Sequence, residues 1–138
     1  MKNQYLLIAE TIFYKNNKLT AINIYDHFVA LKLPAEFIFD LAVLCGPGWE
    51  HGEHVITINF RPDDKELTKL GDIKVDIPSD NFVYNALANN LKFTIGSDVK
   101  NLSFIVMEGD KVIVERTYPV NGLMIPVEEK PKEESAAE

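Results

Sequence analysis

The segment Cys45-Gly46-Pro47-Gly48-Trp49-Glu50-His51-Gly52-Glu53-His54 gathers most of the residue types in this chain that can do chemistry. Two histidines, two carboxylates, a thiol and the only tryptophan stand within ten positions. Histidine and carboxylate suit zinc or iron. The spacing His51-x-x-His54 would put both rings on one face of a helix, but three glycines and a proline make this stretch a loop. In an extended chain, positions i and i+3 point to opposite sides. His51 and His54 are therefore weak candidate ligands, and His27 is a third that only the fold could bring near. The plainer reading is a glycine-rich connection with polar residues facing water. Between these lies a binding loop, with Trp49 supplying apolar contact and Glu50, His51 and Glu53 polar contacts.

Other chemistry finds less support. Cys45 follows Leu44 on an apolar run and reads as a small core residue, not a reactive thiol. There is no G-x-S-x-G elbow, and Gly46-Pro47-Gly48 lacks the lysine and following helix of a phosphate-cradling loop. Asp63, Asp64 and Glu66, followed by Asp72 and Asp76, invite a calcium reading. Their spacing matches no calcium loop, and Lys65 and Lys69 dilute the charge. No catalytic residue and no cofactor is expected.

The elements that must position these residues are strands. Period-two patterning runs through Ile73-Val75-Ile77, Ile56-Ile58-Phe60, Phe37-Phe39-Leu41-Val43 and Tyr5-Leu7-Ala9. Leu102–Met107 is apolar on both sides and reads as a central strand. Asn16-Asn17, Arg61–Lys65 and Glu108-Gly109-Asp110-Lys111 are turn clusters. Asn81–Phe93 is ambiguous: Val83, Leu87 and Leu91 fit a helix, while a strand kinked near Asn89-Asn90 fits the neighbours better. Seven to eight strands at regular spacing predict an all-β fold, an antiparallel two-sheet sandwich over residues 1–127. Leu7, Ile24, Leu41, Ile58, Phe104 and Val114 are expected in its core.

The chain has 138 residues and a formal net charge of -7, with no basic footprint of a nucleic-acid binder. One cysteine excludes an internal disulfide, and no run approaches a membrane span. A cytoplasmic protein of a bacterium or phage is the expectation. Residues 128–138 are acidic, without aromatic or β-branched side chains, and are expected to be a disordered tail. The apolar Leu123–Val127 before it needs cover, from the sandwich or from a second copy in a homodimer.

The order of segments resembles a bacterial family of small β-sandwich proteins with no assigned function. Asn17–Asp26 is similar to its G-K-L-x-I-x-G-I-F-D strand, Gly52–Ile58 to its G-E-H-x-L-x-L hairpin, and Asn90-Leu91-Lys92-Phe93 to its N-L-x-F motif. Leu33-Pro34, Asn101–Val106 and Glu108-Gly109-Asp110 follow in the same order. Asn23 stands where that family has glycine. The resemblance implies a sandwich of the immunoglobulin-like or C2-like kind and carries over no catalytic residue. The expected function is a non-enzymatic binding or assembly module for an unknown protein or small ligand. The alternative is a metal-dependent enzyme built on the Glu50–His54 loop.

Overall fold

Asn16 and Asn17 both take left-handed backbone, with φ of 54° and 62°. Asparagine tolerates that region, and two such residues in a row make the tight turn that matches the twist of a hairpin. They join β1 (Tyr5–Lys15) to β2 (Lys18–Ile24), closing on the pair Lys15–Lys18. The computed structural model describes residues 5–30, 34–46, 48–79 and 84–122. After the first hairpin come β3 (Phe28–Ala30), β4 (Ala35–Cys45), β5 (Gly52–Pro62), β6 (Thr68–Ile77), β7 (Tyr84–Ile95), β8 (Asn101–Glu108) and β9 (Lys111–Gly122).

The strands form two sheets, ordered β2-β1-β4-β7 and β3-β9-β8-β5-β6. The architecture is all-β and sandwich-like, as the patterning implies. Two details differ from expectation. There are nine strands among the described residues, because Phe28–Ala30 is too short for its period to register in a sequence window. That strand also pairs in parallel with β9, whereas every other pairing is antiparallel. No helix among the described residues is long and apolar enough to cross a membrane.

Alternation fills the space between the sheets. Leu102, Phe104 and Val106 of β8 are fully buried, as are Phe39 and Leu41 of β4 and Ile56 and Ile58 of β5. Phe104 lies 5.6 Å from Phe93, 5.4 Å from Phe39 and 5.7 Å from Tyr118, each edge to face. Such geometry suits the quadrupole of aromatic rings. Of the expected core, Leu41, Ile58 and Phe104 are there, and Val114 is partly buried against it. Leu7 is not. Its neighbours Leu6 and Ile8 face the main core, so Leu7 points outward, where it packs with Ala9, Ile12, Ala42 and Leu87 in a second, smaller cluster. Ile24 is 58% exposed on edge strand β2. Asn23 just before it sits at φ 59° and breaks the alternation that would have turned Ile24 inward.

The ambiguous segment is a strand from Tyr84 on, and the kink is real. Asn90 adopts φ 58°, and the β4–β7 register shifts between Phe39 and Leu41. Asp40, almost fully buried, holds the irregularity. Its carboxylate accepts the Asn90 and Ile12 backbone N–H groups, each at 2.8 Å. Residues 81–83, the Leu123–Val127 segment and the 128–138 tail lie outside the described residues.

Candidate functional site

Inward alternation along β5 runs Phe60, Ile58, Ile56 and then His54, so the histidine closes the core at one end of the sandwich. The same phase along β8 runs Leu102, Phe104, Val106 and then Glu108. Two polar residues thus continue two apolar rows and meet: His54 Nδ1 lies 2.8 Å from Glu108 Oε2. The other ring nitrogen, Nε2, lies 2.8 Å from the Glu50 carbonyl oxygen. A carbonyl can only accept, and so can an ionised carboxylate, so making both hydrogen bonds at once requires a proton on each ring nitrogen. The arrangement is the one that favours an imidazolium, with two charge-assisted hydrogen bonds. Desolvation opposes the charge, but the Glu50 carbonyl, the Glu108 hydrogen bond and the Glu108 and Glu50 charges together outweigh it and raise the His54 pKa.

The connection before β5 folds over this pair. Gly48 and Gly52 take φ of 109° and 116°, and a Cβ at either would meet nothing within 4 Å. Backbone conformation, not lack of space, requires glycine there. Between them Trp49 turns inward, is 2% exposed and belongs to the main core cluster. Its ring centroid lies 5.0 Å from that of His54, at 64°. The indole Nε1–H has no acceptor among the described residues. Above the two rings lies a concavity of about 360 Å³ lined by Gly48, Trp49, Glu50, His54, Glu108 and Lys111.

Of the residues expected to bind, Trp49 forms the floor and Glu50 the rim of this concavity. His51 and Glu53 are exposed and do not line it, and Glu53 pairs with Lys74 at 3.1 Å. His54, Glu108 and Lys111 were not among them. Glu108 and Lys111 read as hairpin-turn residues in the sequence, yet Glu108 keeps the inward phase of Phe104 and Val106, and that phase is the signal that could have found it.

The three candidate metal ligands do not converge. His27 lies next to Phe28, which pairs with Val120, while His54 is at the Lys111 end of the same strand β9. At 3.3 Å per residue that is roughly 30 Å away. His27 Nδ1 instead contacts Asp26. No group of three or more His, Cys, Asp or Glu side chains that could hold a metal occurs among the described residues. Cys45 is fully buried, and desolvation pushes its thiol up to about 12, so it stays protonated and unreactive at neutral pH.

The acidic turn is also engaged. Asp63 accepts the Lys100 and Asn101 N–H groups, and Asp72 binds Lys69 and Thr57. A second hollow of about 400 Å³, lined by Arg61, Asp63, Asp64, Asn101, Ser103, Glu115 and Thr117, lies on the outer side of β5, β8 and β9. Much of its polar lining is paired internally, Ser103 with Thr117 at 2.9 Å and Arg61 with Glu115 at 3.6 Å. No protein-family model matches this sequence, and no curated protein is detectably similar to it.

Proposed function

We propose that this protein is a non-catalytic binding module whose recognition surface is the concavity over Trp49 and His54. The observation that carries the reading is the double commitment of His54. A general base or a metal ligand needs a ring nitrogen with a free lone pair. Here both nitrogens donate, and the side chain most capable of chemistry is used to fix a loop. The result is a preorganised polar hollow, with Glu50 and Glu108 as acceptors and Lys111 as a donor above an aromatic floor. That lining suits a small polar ligand, or a peptide segment, bearing both an ammonium group and an acceptor. The motif order resembling small sandwiches without assigned function is in keeping with this, as are an immunoglobulin-like or C2-like kind of sandwich and a cytoplasmic setting.

The rival reading, a metal-dependent enzyme using the Glu50–His54 loop, makes a different demand on the same ring. NMR titration of the labelled protein with Zn²⁺, and separately with a panel of dipeptides, tests both. The expected result is a His54 ring unmoved by equimolar Zn²⁺, with Gly48, Glu50 and Lys111 amides shifting on addition of a dipeptide. Zinc-dependent shifts centred on His54 would instead support the enzyme.

A further inference from the structure

The four residues Gly48–His51 have two features of a movable cover. They are bounded by Gly48 and Gly52, whose left-handed backbone is not enforced by crowding. They are also tied down by a side chain from another element, since the Glu50 carbonyl accepts from His54 on β5. We propose that this segment is a lid on the end of the sandwich, latched by the imidazolium of His54 and released when that ring loses a proton. The inference concerns regulation of the concavity and rests on the binding reading for its biological sense, though not for its geometry.

The charges around the ring decide which bond fails. Glu108 approaches from β8, Glu50 from the lid and Lys111 from β9, while Trp49 presents only its indole. On β6, the residue opposite His54 is the apolar Val75. A neutral imidazole keeps one proton. It stays on Nδ1, because the carboxylate of Glu108 is the stronger acceptor and a bare Nδ1 lone pair would face a full negative charge. The proton lost to solvent is therefore the one on Nε2. That leaves the Nε2 lone pair against the Glu50 carbonyl oxygen, two acceptors face to face. That hydrogen bond of the lid becomes a repulsion, and the glycines at the segment's ends let it swing. Trp49, carried by the lid, follows it and uncovers the end of the core to which it belongs. The cover is thus shut while the ring is protonated and opens as pH rises through its raised folded-state pKa.

The chain has one tryptophan, which makes the lid its own reporter. Acrylamide quenching of Trp49 fluorescence, measured on the full chain from pH 6 to 9.5, reads accessibility directly. Emission intensity alone would not, since an imidazolium beside an indole also quenches. The quenching constant should rise severalfold in one step, at the pH where the His54 ring titrates by NMR. Glu108→Gln removes the charge that favours the imidazolium, so its step should move to lower pH. His54→Gln should give no step. A quenching constant flat across this range while His54 titrates would overturn the latch, and so would a step that persists in His54→Gln. Dipeptide-induced shifts at Gly48 and Lys111 alongside a flat quenching curve would reject the lid and leave the binding reading standing. A clear step without any dipeptide response would do the reverse.

Discussion

The sandwich is closed in two different ways along its length. Around Phe28, Phe93, Phe104 and Tyr118 it is sealed by aromatic rings in edge contact, with ring centroids 5.5–5.7 Å apart. At the other end the same inward rows finish in His54 and Glu108, and the seal is a pair of charge-assisted hydrogen bonds beneath a tryptophan. Apolar contact depends on shape and is indifferent to pH. A charged clamp is directional, so it can place a loop, but it holds only while its charges persist. The first kind of closure builds a core; the second builds a surface that can be set and released.

The largest effect should come from the aromatic region. Phe104→Ala is expected to cost about 4–5 kcal/mol in urea unfolding, because four neighbouring rings lose their contact at once. Trp49→Ala should cost about 3–4 kcal/mol, the value of a buried lid, and not the near-zero change of a solvent-facing contact residue. A Trp49→Ala protein as stable as the wild type would show that the second closure has no apolar half. Asp40→Ala strands the buried N–H of Ile12 and the partly buried N–H of Asn90, and should cost about 2 kcal/mol. Asp40 also fixes backbone through its carboxylate, but on the four-stranded sheet and through backbone N–H groups, not an imidazole. The smallest effect is expected for Glu53→Ala, which removes only the exposed pair with Lys74 and should change stability by less than about 0.5 kcal/mol. Thermal melts of these four proteins would rank them.

Much of the aromatic region was legible in the sequence and little of the clamp. Phe104, Ile58 and Leu41 follow from period two alone, and so does the central place of β8. The kink at Asn89-Asn90 was legible as well, because asparagine is among the few residues that accept left-handed backbone. The partner of that kink was visible only as an interruption: Asp40 reads as a stray acid in an apolar strand until its two N–H donors, 28 and 50 residues away, are seen. Leu7 and Ile24 were misplaced for a related reason. Alternation says that neighbours point opposite ways, not which way is in, and Asn23 resets the phase. The clamp joins residues 54 positions apart. His54 sits in a row of candidate ligands and Glu108 in a turn motif, so each has a nearer explanation than the other. Trp49 was singled out, but polar neighbours on a glycine-rich loop do not reveal that the ring turns inward.

The role of the His54 imidazolium is structural. Its folded-state pKa is raised, so the stabilisation it gives is complete below the unfolded value of about 6.5 and is lost as pH rises through the folded value. Urea unfolding of the wild-type protein and of His54→Gln, each at pH 6 and pH 9, isolates this term, since other titrations are shared and cancel. The wild-type protein should be the more stable at pH 6, by a margin that shrinks at pH 9. A margin equal at both values, or larger at pH 9, would contradict that role.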